Sequence, residues 1–320
     1  MKVFATRVIP AEGRIRMEQA GIQVTEWKEK RSLSPDELAD TLKAYEALYY
    51  AGGKAMNRDF LNKCSHLKII ALMSAGYDNI DVQAAKEIGI PVTNVPGVPS
   101  KSTADVAFLL MQSVARKAFY MHKRILNHEW GFSDPTANLG IDLEGKTLGV
   151  WGLGNIGTIL ARRCQRAFDM NIIYNNRHPN AEAEKVLNAT YVSFEELLHN
   201  SDVLSVHTAL TPETKGRFNK EVFREMKPTS IFINTARGGI HDETALYEAI
   251  QEGLIWGAGL DVTNPEPMSP DNPLLSLPTV AILPHIGSAT AETRGKMSLL
   301  AAENIIAAAK GQPLPSLIKS

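Results

Sequence analysis

Arg237, Glu266 and His285 each stand just past an apolar run, in the stretches "NTARGGIHDETAL", "GLDVTNPEP" and "LPHIGSATAET". Residues placed past strand C-terminal ends lie where open α/β sheets bind ligands. As a set they suit hydride transfer to a ketone carbonyl. The oxygen that gains charge needs a proton donor, and an imidazole such as that of His285 donates near neutral pH. Glu266 on the other ring nitrogen would fix the tautomer and favour the imidazolium. Arg237 would hold a substrate carboxylate and polarise the adjacent carbonyl, so the set specifies a 2-oxo acid.

Such chemistry needs a hydride carrier, and "VWGLGNIG", Val150 to Gly157, reads as its binding loop. Gly152 makes the tight turn after the strand, Gly154 lets a pyrophosphate approach the backbone, and Gly157 lets helix and strand pack closely. The helix that opens at Asn155 and Ile156 offers free N–H groups and a positive dipole end. About twenty residues on, a carboxylate would take the ribose 2′-hydroxyl of NAD. Here the chain reads "IIYNNRHPN" instead. Asn175 and Asn176 replace the acid, Arg177 follows and His178 can add to it. A guanidinium without a competing acid suits a 2′-phosphate, so NADP(H) is expected in preference to NAD(H).

The elements that position these residues form two sets of alternating apolar strands and amphipathic helices. "KVFAT", "IQVTEW", "YEALYYA", "KIIALM" and "PVTN" are the strands of the first set. "KTLGVWG", "NIIYN", "ATYV", "DVLSVH", "SIFINT", "WGAGLD" and "VAILP" are those of the second. Strands this apolar are expected to be buried on both faces, so the fold class is α/β, with two doubly wound parallel sheets. "SPDELADTLKA" opens a helix, with Ser34 as N-cap, Pro35 at the first helical position and Glu37 closing a capping box. "STADVAFLLMQSVARKAFYMHKRIL" reads as one long helix, and "NHEWGFSDPTANLGIDLEG" as a loop. "TAETRGKMSLLAAENIIAAAKG" is a further helix, expected to return to the first set.

Bulk properties narrow the class. The chain has 320 residues, 44% of them hydrophobic and 22% charged, with a formal net charge of −1. Near-neutrality argues against a general nucleic-acid binder. No apolar run approaches the roughly twenty residues of a bilayer span, and the N-terminus is too charged for a signal peptide. Cys64 and Cys164 have neither metal-ligand spacing nor a disulfide framework, so no metal is expected and the setting is a reducing cytoplasm.

The order and spacing of these loops resemble the D-isomer-specific 2-hydroxyacid dehydrogenase family over essentially the whole chain. The resemblance implies a discontinuous, flavodoxin-like substrate domain, residues 1–101 and 290–320, and a Rossmann cofactor domain, residues 102–289, with the site in the cleft between them. It also accounts for a glycine loop that opens almost halfway along the chain. Backbone N–H groups of Ser74, Ala75 and Gly76, in "LMSAGYDNID", would bind the substrate carboxylate, with Arg237 and His285 completing the substrate site. Thr103 would lie near the cofactor, and Thr208 and Ala209 of "HTALTPET" against the nucleotide. Asp261 would meet the nicotinamide carboxamide, with Ala236 along the same ring; Thr214 and Gly287 complete the cofactor set. The family implies a homodimer, and the apolar face of "ADVAFLLMQSVARKAFYM" reads as an exposed surface available for it.

Within the family, "DVTNPEP" and the C-terminal third are most similar to glyoxylate/hydroxypyruvate reductases, a branch that tends to use NADPH. The implied activity is reduction of glyoxylate and hydroxypyruvate to glycolate and D-glycerate. An NADH-dependent D-lactate dehydrogenase and a 2-ketogluconate reductase are the neighbouring alternatives, and a dinucleotide-sensing corepressor is the alternative without turnover. Formate dehydrogenases carry glutamine where Glu266 stands. Two positions depart from the family's habit. Ala209 stands where proline is frequent, and Ser133 where a second tryptophan follows the one matching Trp130. In the branch, aromatic residues of that loop help shape the substrate pocket, partly across a dimer interface.

Overall fold

The chain divides into two units, Met1–Pro99 together with Ala289–Ser320, and Ser100–Ser288. The computed structural model describes all residues but Ser133 and Ser320, so the departure at Ser133 lies outside the described residues.

The first unit alternates strand and helix: β1 (Lys2–Ala5), α1 (Ala11–Gln19), β2 (Gln23–Glu26), α2 (Pro35–Leu42), β3 (Ala47–Tyr50), α3 (Arg58–Lys63), β4 (Ile69–Leu72), α4 (Val82–Ile88) and β5 (Val92–Thr93). Helical crossovers return the chain to the same end each time, so the five strands run parallel in the order β2-β1-β3-β4-β5. That is the flavodoxin-like order. β3 and β4 are buried at every position, whereas β2, at the edge, is exposed at alternate residues. The α2 cap forms as the spacing predicts: Ser34 Oγ accepts from the Glu37 N–H, and the Glu37 carboxylate accepts from the Ser34 N–H.

The second unit contains α5 (Ser100–Ala115), α6 (Ala118–Leu126), β6 (Thr147–Trp151), α7 (Asn155–Phe168), β7 (Asn171–Asn175), α8 (Ala181–Leu187), β8 (Thr190–Tyr191) and α9 (Phe194–Asn200). It continues through β9 (Val203–Val206), α10 (Lys220–Arg224), β10 (Ile231–Asn234), α11 (Glu243–Gln251), β11 (Gly257–Leu260) and β12 (Val280–Ile282). Its seven strands are parallel, in the order β12-β11-β10-β9-β6-β7-β8. This is the Rossmann order with one strand added, and its switch point falls between β6 and β9. α12 (Ala291–Ala309) then joins the first unit. There Met297, Ala301 and Ile305 pack with Val3, Ala5 and Tyr49, Tyr49 Oη donates to Ser298 Oγ at 3.0 Å, and Arg16 pairs with Glu303 at 2.7 Å.

Two expectations need correction. The long helix predicted after residue 101 is broken: α5 ends at Ala115, Lys117 turns into the left-handed region at φ 52°, and α6 restarts at Ala118. The Ala115 carbonyl is taken by the Ile141 N–H at 2.9 Å, so the helix C-terminus is satisfied by a later loop. An unbroken apolar period carries no sign of that capture. The apolar face assigned to an exposed surface is mostly core. Ala104, Ala107, Leu110, Met111 and Val114 are buried in a cluster with Leu148, Leu160 and Ala161, leaving Leu109 as the large exposed hydrophobic of α5. Among the described residues, no helix is long and apolar enough to cross a membrane, and no cluster of His, Cys, Asp and Glu could hold a metal ion.

Candidate active site

At the switch point, β6 ends in Trp151 and the chain turns through Gly152 at φ +100°, a backbone region that side chains rarely adopt. A Cβ there would also stand 2.8 Å from the His207 backbone. At Gly157 a Cβ would meet the Gly152 carbonyl at 2.7 Å and a Val150 methyl at 2.8 Å, the close helix–strand packing the third glycine permits. Gly154 has open space on its Cβ side and caps α7, whose first N–H groups carry the positive dipole end. Open backbone at the second glycine, facing a helix N-terminus, fits a dinucleotide pyrophosphate.

Arg237, Glu266 and His285 follow β10, β11 and β12 in turn. His285 Nδ1 lies 2.9 Å from Glu266 Oε2, and Glu266 Oε1 accepts from the Thr263 N–H at 3.0 Å. Burial alone would raise the Glu266 carboxyl. The hydrogen bonds from His285 and Thr263, with the charges of His285 and Arg237, hold it below the usual carboxylate range instead. Glu266 is therefore an anion at neutral pH, and the ring proton it fixes sits on Nδ1, leaving Nε2 for exchange with a ligand. His285 itself occupies the left-handed region at φ 55°, a conformation that costs on the order of 1–3 kcal/mol for a non-glycine residue and clusters at functional sites. Asp261 holds it there. Its side chain is 1% exposed, and its two oxygens accept from the Ile286 N–H at 2.8 Å and the Gly287 N–H at 2.7 Å. Burial raises the Asp261 carboxyl, which these two bonds only partly offset. Thr103 Oγ1 reaches the Gly287 carbonyl at 3.3 Å, so Thr103, Asp261 and Gly287 are brought together. A pocket of about 570 Å³ opens beside the pair, lined by Asp261, Glu266, Met268, Leu275, Leu283 and His285.

Arg237 is set by Asn234, whose Oδ1 accepts from the Ala236 N–H at 2.9 Å while Nδ2 donates to the Arg237 carbonyl at 2.9 Å. The same Nδ2 lies 3.0 Å from Nδ1 of the buried His241, and Arg237 Nη1 donates to the Ala236 carbonyl at 2.7 Å. Thr214 Oγ1 donates to the Ala209 carbonyl at 2.7 Å, folding "HTALTPET" on itself, while Thr208 Oγ1 is buried with no partner among the described residues. Asn176 Oδ1 accepts from the Leu153 N–H at 2.7 Å, inside the glycine loop. Arg177 and His178 are exposed. In the first unit, Ser74, Ala75 and Gly76 form the loop after β4; Ser74 Oγ donates to the Gly76 carbonyl, and Asn94 Nδ2 to the Ala75 carbonyl, both at 2.7 Å.

Residues 108–287 match the family model for the D-isomer specific 2-hydroxyacid dehydrogenase, NAD binding domain. The chain belongs to this family. It is thus an oxidoreductase whose second unit carries the NAD(P)-binding domain. A glyoxylate reductase of Thermococcus litoralis is 42% identical over 321 residues, covering 99% of this chain and 96% of the relative. The human glyoxylate reductase/hydroxypyruvate reductase is 38% identical, covering 100% and 98%. The crystal structure of the NADPH-dependent glyoxylate/hydroxypyruvate reductase of Sinorhizobium meliloti, in complex with NADP and malonate, superposes with a TM-score of 0.85 at 29% identity, covering 99% and 96%.

Three features of this dehydrogenase escaped the motifs. Asp261 anchors the histidine loop, a role set by amides 25 and 26 residues away. Glu213 lies within electrostatic reach of Arg177: bonds to Thr211 and to its own backbone, then the Arg177 charge, hold its carboxyl below the usual range. Glu213 belongs to another loop, outside the span of the nucleotide motif. The third is a pair of buried histidines, His207 and His241, each pushed by burial down to about 4. In the unfolded chain a histidine titrates near 6.5, so the unfolded state binds more protons between about pH 6.5 and 4. Stability is therefore full above pH 6.5 and falls as pH drops toward 4, by about 1.4 kcal/mol per pH unit for each histidine. Urea midpoints measured from pH 7.5 to 5 should show this loss, and His241→Gln should flatten it by about half; a midpoint independent of pH in wild type would refute the assignment.

Proposed function

We propose that the protein reduces small 2-oxo acids, glyoxylate and hydroxypyruvate, to glycolate and D-glycerate, with NADPH preferred over NADH. The observation that carries this reading is the Nδ1–carboxylate pair of His285 and Glu266, with the Arg237 charge beside it, in a unit whose glycine loop fits a dinucleotide. The names of the full-length relatives support the substrate class. In this reading Arg237 holds the substrate carboxylate and draws density from the carbonyl oxygen. His285 Nε2 gives that oxygen its proton, and Glu266 keeps the ring oriented and stabilises the imidazolium. Bound NAD(P)H supplies the hydride to the carbonyl carbon. Gly152, Gly154, Asn155, Ile156 and Gly157 would hold its pyrophosphate, Asp261 and Ala236 its nicotinamide end, and Arg177 its 2′-phosphate. A cytoplasmic homodimer is the proposed setting.

Glu213 tempers the cofactor preference, because its anion competes with a phosphate for Arg177. Arg177→Ala should weaken NADPH about 10-fold while leaving NADH nearly unchanged. Glu213→Gln should tighten NADPH about 2–5-fold. Fluorescence titration of both dinucleotides checks the pair, and equal effects on NADPH and NADH would remove Arg177 from the 2′-phosphate. The activity is tested by oxidation of NADPH and NADH with glyoxylate, hydroxypyruvate, pyruvate and 2-ketogluconate. Fast NADPH turnover with the first two is the expected result. Preference for NADH with pyruvate would overturn the assignment in favour of a D-lactate dehydrogenase, and no turnover in favour of a dinucleotide sensor.

A further inference from the structure

Leu153, between the first two glycines of the loop, is fully buried, so neither its N–H nor its carbonyl can rely on water. No backbone group bonds either of them among the described residues. Two asparagines from the loop after β7 do so instead: Asn176 Oδ1 accepts from the Leu153 N–H at 2.7 Å, and Asn180 Nδ2 donates to the Leu153 carbonyl at 2.9 Å. Asn180 is itself fixed at every polar atom that could let it swing away. Its N–H donates to Tyr174 Oη at 2.7 Å, and its Oδ1 caps α8 through the Ala183 N–H at 3.1 Å. Tyr174, with no exposed surface, donates in turn to Glu184 at 2.6 Å. Asn176 is held through its backbone, whose carbonyl accepts from Tyr191 Oη at 3.1 Å.

We propose that Asn176 and Asn180 are positioning residues: they clamp the Leu153 peptide from both sides and so set the glycine loop for the cofactor's pyrophosphate. Asn176, at the position where a ribose ligand is expected, acts on the cofactor through the loop and not through the ribose. The 2′ end is then left to Arg177, with His178 beside it. The inference rests on the assignment of the loop to NAD(P)H and separates positioning of the loop from contact with the ribose, the task of a carboxylate at that position.

The separation dictates the test, made on the full chain with Asn176→Ala and Asn180→Asp. The aspartate keeps the acceptor that caps α8 and loses the donor to Leu153. Without cofactor, amide hydrogen exchange across 151–155 should speed up in both variants, because a buried N–H or carbonyl has lost its partner. NADPH and NADH should weaken by the same factor, about 3–10-fold. Adenosine 2′-monophosphate, which has no pyrophosphate, should bind Asn176→Ala as it binds wild type, with the thermal midpoint lowered by only a few degrees; a general loss of structure would weaken the mononucleotide as well. Unchanged exchange would overturn the clamp. A change in the NADPH-to-NADH ratio in Asn176→Ala would make Asn176 a ribose ligand and overturn the division of roles. If wild type binds neither dinucleotide, the proposed function fails and takes the positioning role with it, even where exchange has changed.

Discussion

Replacing His285 by alanine should slow glyoxylate reduction by about 10²–10⁴-fold, the range of a lost general acid, while NADPH affinity changes by less than about threefold. The asymmetry follows from geometry. His285 contributes a ring whose Nδ1 is committed to Glu266 at 2.9 Å, and the loop that carries it is held independently by Asp261 through two backbone amides. Removing the ring therefore removes the proton source without loosening the loop. Single-turnover rates and fluorescence titration separate the two effects, and a variant that binds NADPH poorly but transfers hydride normally would sink the proton-donor role. Glu266→Gln should act more mildly, because an amide oxygen can still accept from Nδ1.

Arg237→Gln should lower kcat/KM for glyoxylate by about 10²–10³-fold, through both KM and kcat, because the guanidinium is assigned two tasks. It binds the carboxylate in the ground state and stabilises the charge that grows on the carbonyl oxygen. The residue is unusually well set for both: Asn234 grips the backbone on either side of it, and Nη1 is tied to the preceding carbonyl. Arg237→Lys keeps the charge but loses the planar fork, and should recover only a small part of the deficit. Steady-state kinetics against glyoxylate check this, and an unchanged KM in Arg237→Gln would take the substrate carboxylate away from it.

Much of this was legible because fully buried parallel strands announce themselves. The runs "ALYY", "IIAL", "VLSV" and "IFIN" are strands buried at every position. Local signals were equally plain, since the Ser34–Glu37 box and the glycine loop are complete within a few residues. The family's residues after β10, β11 and β12 followed from the same regularity. What could not be read is what one loop does to another. Ile141 ends a helix at Ala115, Glu213 shares the field of Arg177, and Asn176 spends its side chain on Leu153. Each links residues more than twenty positions apart, by a backbone N–H, a charge or an amide side chain of a kind ordinary in loops. The apolar face of α5 misled for a related reason: period marks a face to be covered, but not whether the cover comes from the same unit.

The return of α12 to the first unit reverses the order in which the protein can mature on the ribosome. Every element of the second unit is contiguous, so that unit can close as soon as it emerges. The five strands that precede it cannot: the face formed by Val3, Ala5 and Tyr49 is covered by Met297, Ala301 and Ile305, which are synthesised only after the second unit. At roughly 5–20 residues per second, the early strands wait about 10–40 s with that face uncovered. Until α12 is made, the first unit keeps an apolar face of its sheet uncovered, and α12 acts as the clasp that closes it.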